Sequence, residues 1–275
     1  MTIRDLLKHS QSSIDSDTAA LDCELLLCHC LGKDRTYLHA WPEHAVDAAV
    51  RSEFHALLER RISGEPIAYL TGRREFWSLP LRVDHSTLIP RPDTERLVEV
   101  ALALALPAAA RVLDLGTGTG AIALALASER PGWQVLGVDV AEDVVQLARH
   151  NARELAIANA RFLESNWFAA VAGQRFDLIV SNPPYIDAND PHLTQGDVRF
   201  EPRRALVAAQ NGLAAIREIA DAAPDSLNPG GWLLFEHGYT QAPAVRTLLA
   251  QRGYRDISTW NDWGGNERVT GGRAP

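Results

Sequence analysis

The sequence has few cysteines, and all three, Cys23, Cys28 and Cys30, lie in the single stretch LDCELLLCHCLG. An odd and local set cannot build the disulfide framework of a small secreted protein. Consecutive residues of a helix also point in different directions, so Cys28-His29-Cys30 is a poor metal site. We therefore expect reduced thiols that pack as small apolar groups, no metal, and a cytoplasmic location.

Long apolar runs and an excess of positive charge are absent too. The most apolar stretch, LVEVALALALPAAA (residues 97–110), is too short and too interrupted to span a bilayer. The segment MTIRDLLKHS carries charges where the apolar core of a secretory signal would lie. A formal net charge of −8 disfavours binding to nucleic acid through its phosphates. We expect neither a membrane nor direct nucleic-acid binding.

The character of the chain changes near residue 90. Two segments have apolar residues at helical spacing, DTAALDCELLLCHCLG, which ends at Gly32, and AVDAAVRSEFHALLERRIS, which stops at Gly64. The segment from residue 65 to 95 is rich in β-branched and aromatic residues with Gly and Pro breaks, which predicts a hairpin-like connector. We predict a small helical domain with its connector at residues 1–85 and a second domain at residues 86–275.

Beyond the connector, strand-like and helix-like segments alternate. The candidate strands are RVLDLG, WQVLGVDV, ARFLES, FDLIVSN, GWLLFEHG, YRDISTW and ERVTGG. Alternation of this kind predicts an α/β fold with a mostly parallel sheet covered by helices on both faces. In such sheets ligands bind at the carboxyl ends of the strands, where the strand order reverses.

A glycine-rich loop, GTGTG (residues 116–120), joins the first of these strands to a helix. Asp139 ends the next strand, where a carboxylate can accept both hydroxyl hydrogens of a ribose. The loop and Ala121 also satisfy the dinucleotide pattern, so a nicotinamide-dependent oxidoreductase stays open, as does a turn without a ligand. Asp114, just before the loop, favours a ligand with an ammonium or sulfonium group over a pyrophosphate. S-adenosyl-L-methionine has both a ribose for Asp139 and positively charged groups for Asp114, and it has no phosphate.

A second motif, Asn182-Pro183-Pro184-Tyr185, ends the strand LIVS. The Asn182 side-chain oxygen and the Pro183 carbonyl can accept the N–H hydrogens of a carboxamide or aromatic amine. Pro184 fixes the backbone and has no N–H to occupy that carbonyl, and the Tyr185 ring can cover a planar group. The motif predicts methyl transfer to a planar nitrogen. A strand that ends in a turn, with Tyr185 in packing, is the alternative.

Taken in this order, the two motifs resemble those of class I S-adenosylmethionine-dependent methyltransferases. Further segments resemble the HemK/PrmC family, namely GEPIAYLTGRREFW (64–77), LIPRPDTE (88–95), RFEPRRAL (199–206), FEHG (235–238) and NERVTGGR (266–273). The resemblance implies a Rossmann-like seven-stranded catalytic domain and a reaction. The reaction is methylation of the side-chain nitrogen, N(5), of the glutamine in the Gly-Gly-Gln loop of class I peptide chain release factors, with S-adenosyl-L-homocysteine as product.

The resemblance also implies roles for residues. The donor would be bound by Gly116, Thr117, Gly118, Thr119, Gly120, Asp139, Trp167 and Asn182, and Asp114 joins this set because of its charge beside the loop. The substrate glutamine would be held by Asn182, Pro183, Pro184 and Tyr185, with Asn182, Pro183 and Tyr185 as the catalytic set. Trp167 would lie along the adenine, but the family commonly has an acidic residue where this sequence has Asn166. The helical domain is either a docking surface for the release factor or a folding cap, and we expect a monomer.

Three other functions remain open from the sequence. They are methylation of a glutamine in a large-subunit ribosomal protein, methylation of an exocyclic amine in DNA or RNA, and nicotinamide-dependent oxidation. Glu236 and His237 end the fifth strand, where we expect a structural hydrogen bond in preference to a catalytic role. The arginines near the motifs are expected to be solvated or paired.

Overall fold

The computed structural model describes residues 1–275, and the chain divides into two compact units. The first comprises Met1–Arg73 together with Thr194–Phe200, and the second comprises Arg74–Leu193 and Glu201–Pro275. The boundary falls at residue 73, so the predicted connector is divided, with residues 65–73 in the first unit and residues 74–95 in the second. The short segment 194–200, which the sequence placed in the second domain, belongs to the first unit.

The first unit is helical. Its helices are α1 (Ile3–Gln11), α2 (Ala19–Leu31), α3 (Arg35–Ala40), α4 (Ala48–Ile62) and α5 (Ile67–Thr71). Their apolar faces meet in one core around Phe54, Leu26 and Leu27, none of which is exposed. Gly32 ends α2 in the left-handed conformation, with φ 60°, as the sequence predicted.

An ion pair joins two helices of this unit, and the thiols are free. Arg61 of α4 forms a largely buried ion pair with Asp22 of α2, with Nε and Oδ2 2.8 Å apart. The three cysteines form no disulfide, and burial raises the pKa of Cys23 and of Cys30 to about 11. Burial therefore disfavours the thiolate, the nucleophilic form, of Cys23 and Cys30.

The predicted connector is only partly a hairpin. Strands β1 (Arg73–Phe76) and β2 (Leu79–Arg82) form a two-stranded sheet, as expected. Residues 67–71, however, form α5 and not extended chain, so that part of the prediction is wrong. Pro66 precedes this short helix and Gly72 ends it at φ 68°, which is the usual order of Pro and Gly around a helix.

The second unit contains a seven-stranded sheet. Its strands are β3 (Arg111–Leu115), β4 (Gln134–Asp139), β5 (Ala160–Glu164), β6 (Phe176–Ser181), β7 (Leu227–Glu236), β8 (Arg255–Asn261) and β9 (Glu267–Arg273). The order across the sheet is β5-β4-β3-β6-β7-β9-β8. Strand β9 alone runs in the direction opposite to the other six. All seven predicted strands are confirmed, and with them the α/β, Rossmann-like fold class.

Helices cover both faces of this sheet. They are α6 (Glu95–Ala103), α7 (Ala121–Glu129), α8 (Glu142–Glu154), α9 (Arg203–Leu206), α10 (Ala214–Ser226) and α11 (Ala242–Gln251). Successive strand residues point to opposite faces. Leu178 and Val180 of β6 therefore pack with α6, α7 and α8, whereas Ile179 packs with α10 and α11. None of the helices has the length and apolar character that a membrane span needs.

The strand order reverses between β3 and β6, which lie side by side. Leu115, the last residue of β3, pairs with Ser181, the last residue of β6, and the Ser181 hydroxyl donates to the Leu115 carbonyl at 2.7 Å. The glycine loop and the Asn-Pro-Pro-Tyr motif therefore leave the sheet from adjacent strand ends. This reversal is where ligands bind in doubly wound sheets.

Candidate active site

A cavity of about 220 Å³ opens at the carboxyl ends of β3, β4 and β6. The glycine loop, the end of β4, the loop after β5 and the Asn182 motif form most of its wall. The lining residues are Ser86, Thr87, Leu88, Pro90, Arg91, Thr94, Gly116, Thr117, Gly118, Thr119, Ala121, Ile122, Asp139, Val140, Val144, Ser165, Asn166, Trp167, Asn182, Pro184, Arg204 and Ala205.

The glycine loop lies against the end of β4. The backbone N–H groups of Gly116 and Thr117 both donate to the Val138 carbonyl, each at 2.9 Å. Gly116, Gly118 and Gly120 all have positive φ, at 71°, 55° and 83°. Residues with a Cβ rarely adopt this conformation, so the three glycines allow the tight path that brings backbone to the cavity wall.

Asp139 stands at the end of β4 and lines the cavity. Its Oδ2 accepts the N–H of Gly118 at 3.1 Å, so the carboxyl ties the glycine loop to β4. Burial raises the pKa of Asp139, although hydrogen bonds from the backbone of Gly118, Ala141 and Val140 oppose the rise. The remaining lone pairs of the carboxyl are available to a ligand with hydroxyl groups.

Asp114 does not line the cavity. Its side chain is fully buried on β3 below the glycine loop, where Oδ2 accepts the Thr117 hydroxyl at 2.6 Å and Oδ1 has no hydrogen-bond partner. Burial raises the pKa of Asp114 to about 7. The sequence predicted direct contact with a charged ligand; in the structure this carboxyl supports the loop from beneath, because residue 114 still belongs to the buried strand.

Gly137 of β4 provides space for the loop, and we expect Gly137→Ala to destabilise the fold. A Cβ there would lie 2.5 Å from the Thr117 Oγ1 and 2.6 Å from the Phe162 ring. Both groups are buried, and overpacking of this kind costs about 1–3 kcal/mol. Urea unfolding measures the change, with Gly264→Ala in the loop before β9 as control. Unfolding at the wild-type urea concentration would show that the site is not tightly packed.

Trp167 lines the cavity in an uncommon conformation. Its φ is 46°, in the left-handed region that a bulky side chain rarely adopts. Ser165 holds the turn, since its hydroxyl donates to the Trp167 carbonyl at 2.8 Å and accepts the Ala170 N–H at 2.9 Å. Backbone strain that is stabilised in this way is concentrated at functional sites. Asn166 also lines the cavity and is exposed.

Asn182 lines the cavity with a fixed side chain. Its Nδ2 donates to the Thr94 hydroxyl oxygen at 3.2 Å, which leaves Oδ1 available as an acceptor. Pro184 also lines the cavity, whereas Pro183 is buried and is not part of the wall. The structure therefore brings the predicted amide oxygen to the cavity beside the glycine loop.

Tyr185 is held at both its backbone and its ring. The Tyr185 carbonyl accepts the Gln241 side-chain N–H at 2.9 Å, and its hydroxyl lies 3.5 Å from Glu236 Oε1. A Cβ at Gly212 would lie only 1.9 Å from the Tyr185 carbonyl oxygen, so only glycine fits there. The ring is outside the cavity wall, and burial raises the pKa of its hydroxyl.

Two arginines at the cavity were not singled out from the sequence as site residues. Arg91 lines the wall and forms an ion pair with buried Glu201, with Nη2 and Oε2 2.6 Å apart. Glu201 also accepts the Ile89 N–H at 3.0 Å. Arg204 donates to the Ser86 carbonyl at 3.1 Å. The segments LIPRPDTE and RFEPRRAL are thus joined at the cavity, a pairing that only the folded chain reveals.

The predicted site residues divide into two groups. Eight line the cavity, namely Gly116, Thr117, Gly118, Thr119, Asp139, Trp167, Asn182 and Pro184. Four do not line it, namely Asp114, Gly120, Pro183 and Tyr185. Residues that the prediction missed include Thr94, Arg91 and Arg204.

Comparison with known proteins bears on the whole chain. A family described as PrmC N-terminal domain matches residues 4–72, and a family described as Methyltransferase domain matches residues 107–262. A release factor glutamine methyltransferase of Vibrio cholerae is 56% identical over 277 residues, which cover 99% of this chain and 97% of the relative. The chain belongs to the release factor glutamine methyltransferase family. The HemK/PrmC resemblance is confirmed.

Two further comparisons agree with this family. The Salmonella typhimurium release factor glutamine methyltransferase is 59% identical over 259 residues, covering 94% of each chain. A solved 16S rRNA N2 G1207 methyltransferase of T. thermophilus, in complex with AdoMet and guanosine, superimposes with a TM-score of 0.52 at 22% identity. That alignment covers 74% of this chain and 50% of the other, and it shows the methyltransferase fold alone. As a member of this family the chain is a methyltransferase, and the dehydrogenase alternative is excluded.

Proposed function

We propose that this enzyme methylates the side-chain amide nitrogen, N(5), of the glutamine in the Gly-Gly-Gln loop of class I peptide chain release factors. The relatives, which match along nearly the full chain, are release factor glutamine methyltransferases. The observation that carries the proposal is Asn182, whose amide is held by Thr94 so that its oxygen is free beside the glycine loop. The partner is a protein, in keeping with the net charge of −8.

The cavity fits S-adenosyl-L-methionine as methyl donor. Asp139 offers carboxylate oxygens to ribose hydroxyls, Trp167 offers an aromatic face to the adenine, and the glycine loop allows close approach of backbone. The fully buried Oδ1 of Asp114 is an unsatisfied acceptor directly below this loop. When bound, the donor supplies an electrophilic methyl group on a sulfonium sulfur. We assign Gly116 to Gly120, Asp139, Trp167 and Asn182 to its binding.

The chain itself holds the glutamine amide. An amide nitrogen is a poor nucleophile because its lone pair is delocalised into the carbonyl. Asn182 Oδ1 and the Pro183 carbonyl would accept its two N–H hydrogens. The Tyr185 ring would pack against the amide and fix the orientation of its plane. Orientation of the two reactants can supply roughly 7–11 kcal/mol of barrier reduction, so no strong base near the nitrogen is required.

Mass spectrometry of a release factor tests the proposal. After incubation with the enzyme and S-adenosyl-L-methionine, we expect the Gly-Gly-Gln peptide to gain the mass of one methyl group on its glutamine. A parallel incubation offers ribosomal protein, and a third offers naked RNA and DNA. Methylation of the ribosomal protein alone, or of nucleic acid alone, would refute the proposal.

A further inference from the structure

Asn182 is hydrogen-bonded to Thr94, and Thr94 lies near the buried carboxyl of Glu236. The Asn182 amide donates to the Thr94 hydroxyl oxygen at 3.2 Å. The Thr94 hydroxyl also acts on the buried carboxyl of Glu236, whose pKa it lowers against the larger rise that burial causes. The Thr94 oxygen accepts the hydrogen bond from Asn182. Its single hydroxyl hydrogen is then left for an acceptor such as the Glu236 carboxyl.

Glu236 is placed for this contact by the sheet. Phe235 pairs with Ser181 in the β6–β7 register, so Glu236, the last residue of β7, lies beside Asn182, which follows β6. Glu236 is 1% exposed and Thr94 is 4% exposed, so water cannot replace either partner. The Tyr185 hydroxyl reaches the same carboxyl at 3.5 Å. One buried carboxyl therefore lies beside Thr94, the partner of Asn182, and the hydroxyl of Tyr185.

The surroundings of Glu236 favour a role in holding these groups. Its Oε2 is buried without a hydrogen-bond partner. Burial raises the pKa of Glu236 to about 7, against the influence of Thr94, Arg268 and Tyr185, while Asp93 adds to the rise. Arg268 does not neutralise it directly, since its guanidinium bonds Asp262 at 3.1 Å. Burying a carboxyl with an unpaired oxygen costs folding free energy. A packing role alone does not explain why the chain has a carboxyl at this position.

We propose that Thr94 and Glu236 are positioning residues for methyl transfer, which hold the Asn182 side chain with its oxygen toward the substrate amide. This inference rests on the proposed function, in which Asn182 binds that amide. With Thr94 as acceptor, the two ends of the Asn182 amide are distinguished: the nitrogen faces the protein and the oxygen faces the cavity. Without it, the amide can rotate and present N–H groups, which would repel those of the substrate.

Substitutions at Thr94 test the link to Asn182. Thr94→Val keeps the shape but removes the hydroxyl, and we expect kcat toward the release factor to fall roughly 100-fold, as for a small misplacement of a reacting group. The dissociation constant for S-adenosyl-L-homocysteine should stay near the wild-type value. Thr94→Ser restores the hydroxyl and should restore most of kcat. Thr259→Val is the matched control, since the Thr259 hydroxyl bonds Thr270 at 2.8 Å, on strands at the far edge of the sheet.

Substitutions at Glu236 test the second link. Glu236→Gln keeps an acceptor oxygen for Thr94 and should retain most of kcat, whereas Glu236→Leu removes it and should lower kcat as Thr94→Val does. Glu267→Gln, on β9, is the control for loss of a carboxylate. Melting temperatures are measured for all variants, so that a loss of activity through unfolding is recognised.

Several results would overturn the inference. They are a wild-type kcat for Thr94→Val, failure of Thr94→Ser to restore it, or a loss in kcat matched by a loss of donor affinity and melting temperature. Equal inactivity of Glu236→Gln and Glu236→Leu would also overturn it, since the charge would then matter and not the hydrogen bond. Asn182→Ala separates the two proposals. If it is inactive while Thr94→Val is normal, only the positioning role fails; if it is normal, the amide clamp itself fails.

Discussion

Asn182→Ala is expected to slow methyl transfer about 1,000-fold while leaving most of the donor affinity. The substitution removes the side-chain oxygen that faces the cavity, but it leaves the glycine loop, Asp139 and Trp167 in place. Loss of one preorganised hydrogen-bonding group lowers kcat by roughly 100- to 1,000-fold. Asn182 has the further task of orienting a weak nucleophile, so we expect the loss at the upper end of this range.

Single-turnover transfer of a labelled methyl group to the release factor measures this effect, and calorimetry with S-adenosyl-L-homocysteine measures donor binding. Asn228→Ala is a matched control because Asn228 lies at the start of β7 and bonds only Asp177, at 2.7 Å. That control should turn over like the wild type. Near-normal turnover of Asn182→Ala would show that the substrate amide is held by other groups.

The architecture of the second unit could be predicted because its sequence pattern is strong. Each buried strand is a short apolar run, and each is followed by a polar or glycine-rich stretch and a helix. The helix α5 was missed for a physical reason. It has only five residues, too few for apolar periodicity to appear, and its β-branched and aromatic residues favour strands in isolation.

The site could be predicted only as far as local motifs reach. The glycine loop and Asn182 each stand at the end of a strand, so their meeting at one sheet edge follows from the parallel topology. Whether Asp114 reaches the cavity depends on the residue at which β3 leaves the core. The motif does not specify that residue. The hydrogen bond between Thr94 and Asn182 joins two distant segments. The closeness of Asn182 and Glu236 arises from the register of β6 and β7, which no single segment encodes.

Asp139→Ala is expected to weaken donor binding more than it lowers the rate of transfer at saturating donor. A charged hydrogen-bond acceptor contributes about 1.5–3 kcal/mol, so the dissociation constant should rise roughly ten- to 150-fold. Asp139 also accepts the Gly118 N–H at 3.1 Å, so part of the loss would come through the glycine loop. Asp139→Asn separates the two contributions, because its carbonyl oxygen can still accept from Gly118 while its charge is gone.

Calorimetry with S-adenosyl-L-homocysteine measures these affinities, and Glu142→Ala, an exposed acid at the start of α8, serves as control. The pH dependence is a second test. Burial raises the pKa of Asp139, so on acidification this carboxyl gains its proton sooner than an exposed aspartate. A protonated carboxyl is a weaker acceptor, so wild-type affinity should fall with falling pH. Asp139→Ala should lack this part of the dependence. An unchanged dissociation constant in Asp139→Ala would contradict the ribose assignment.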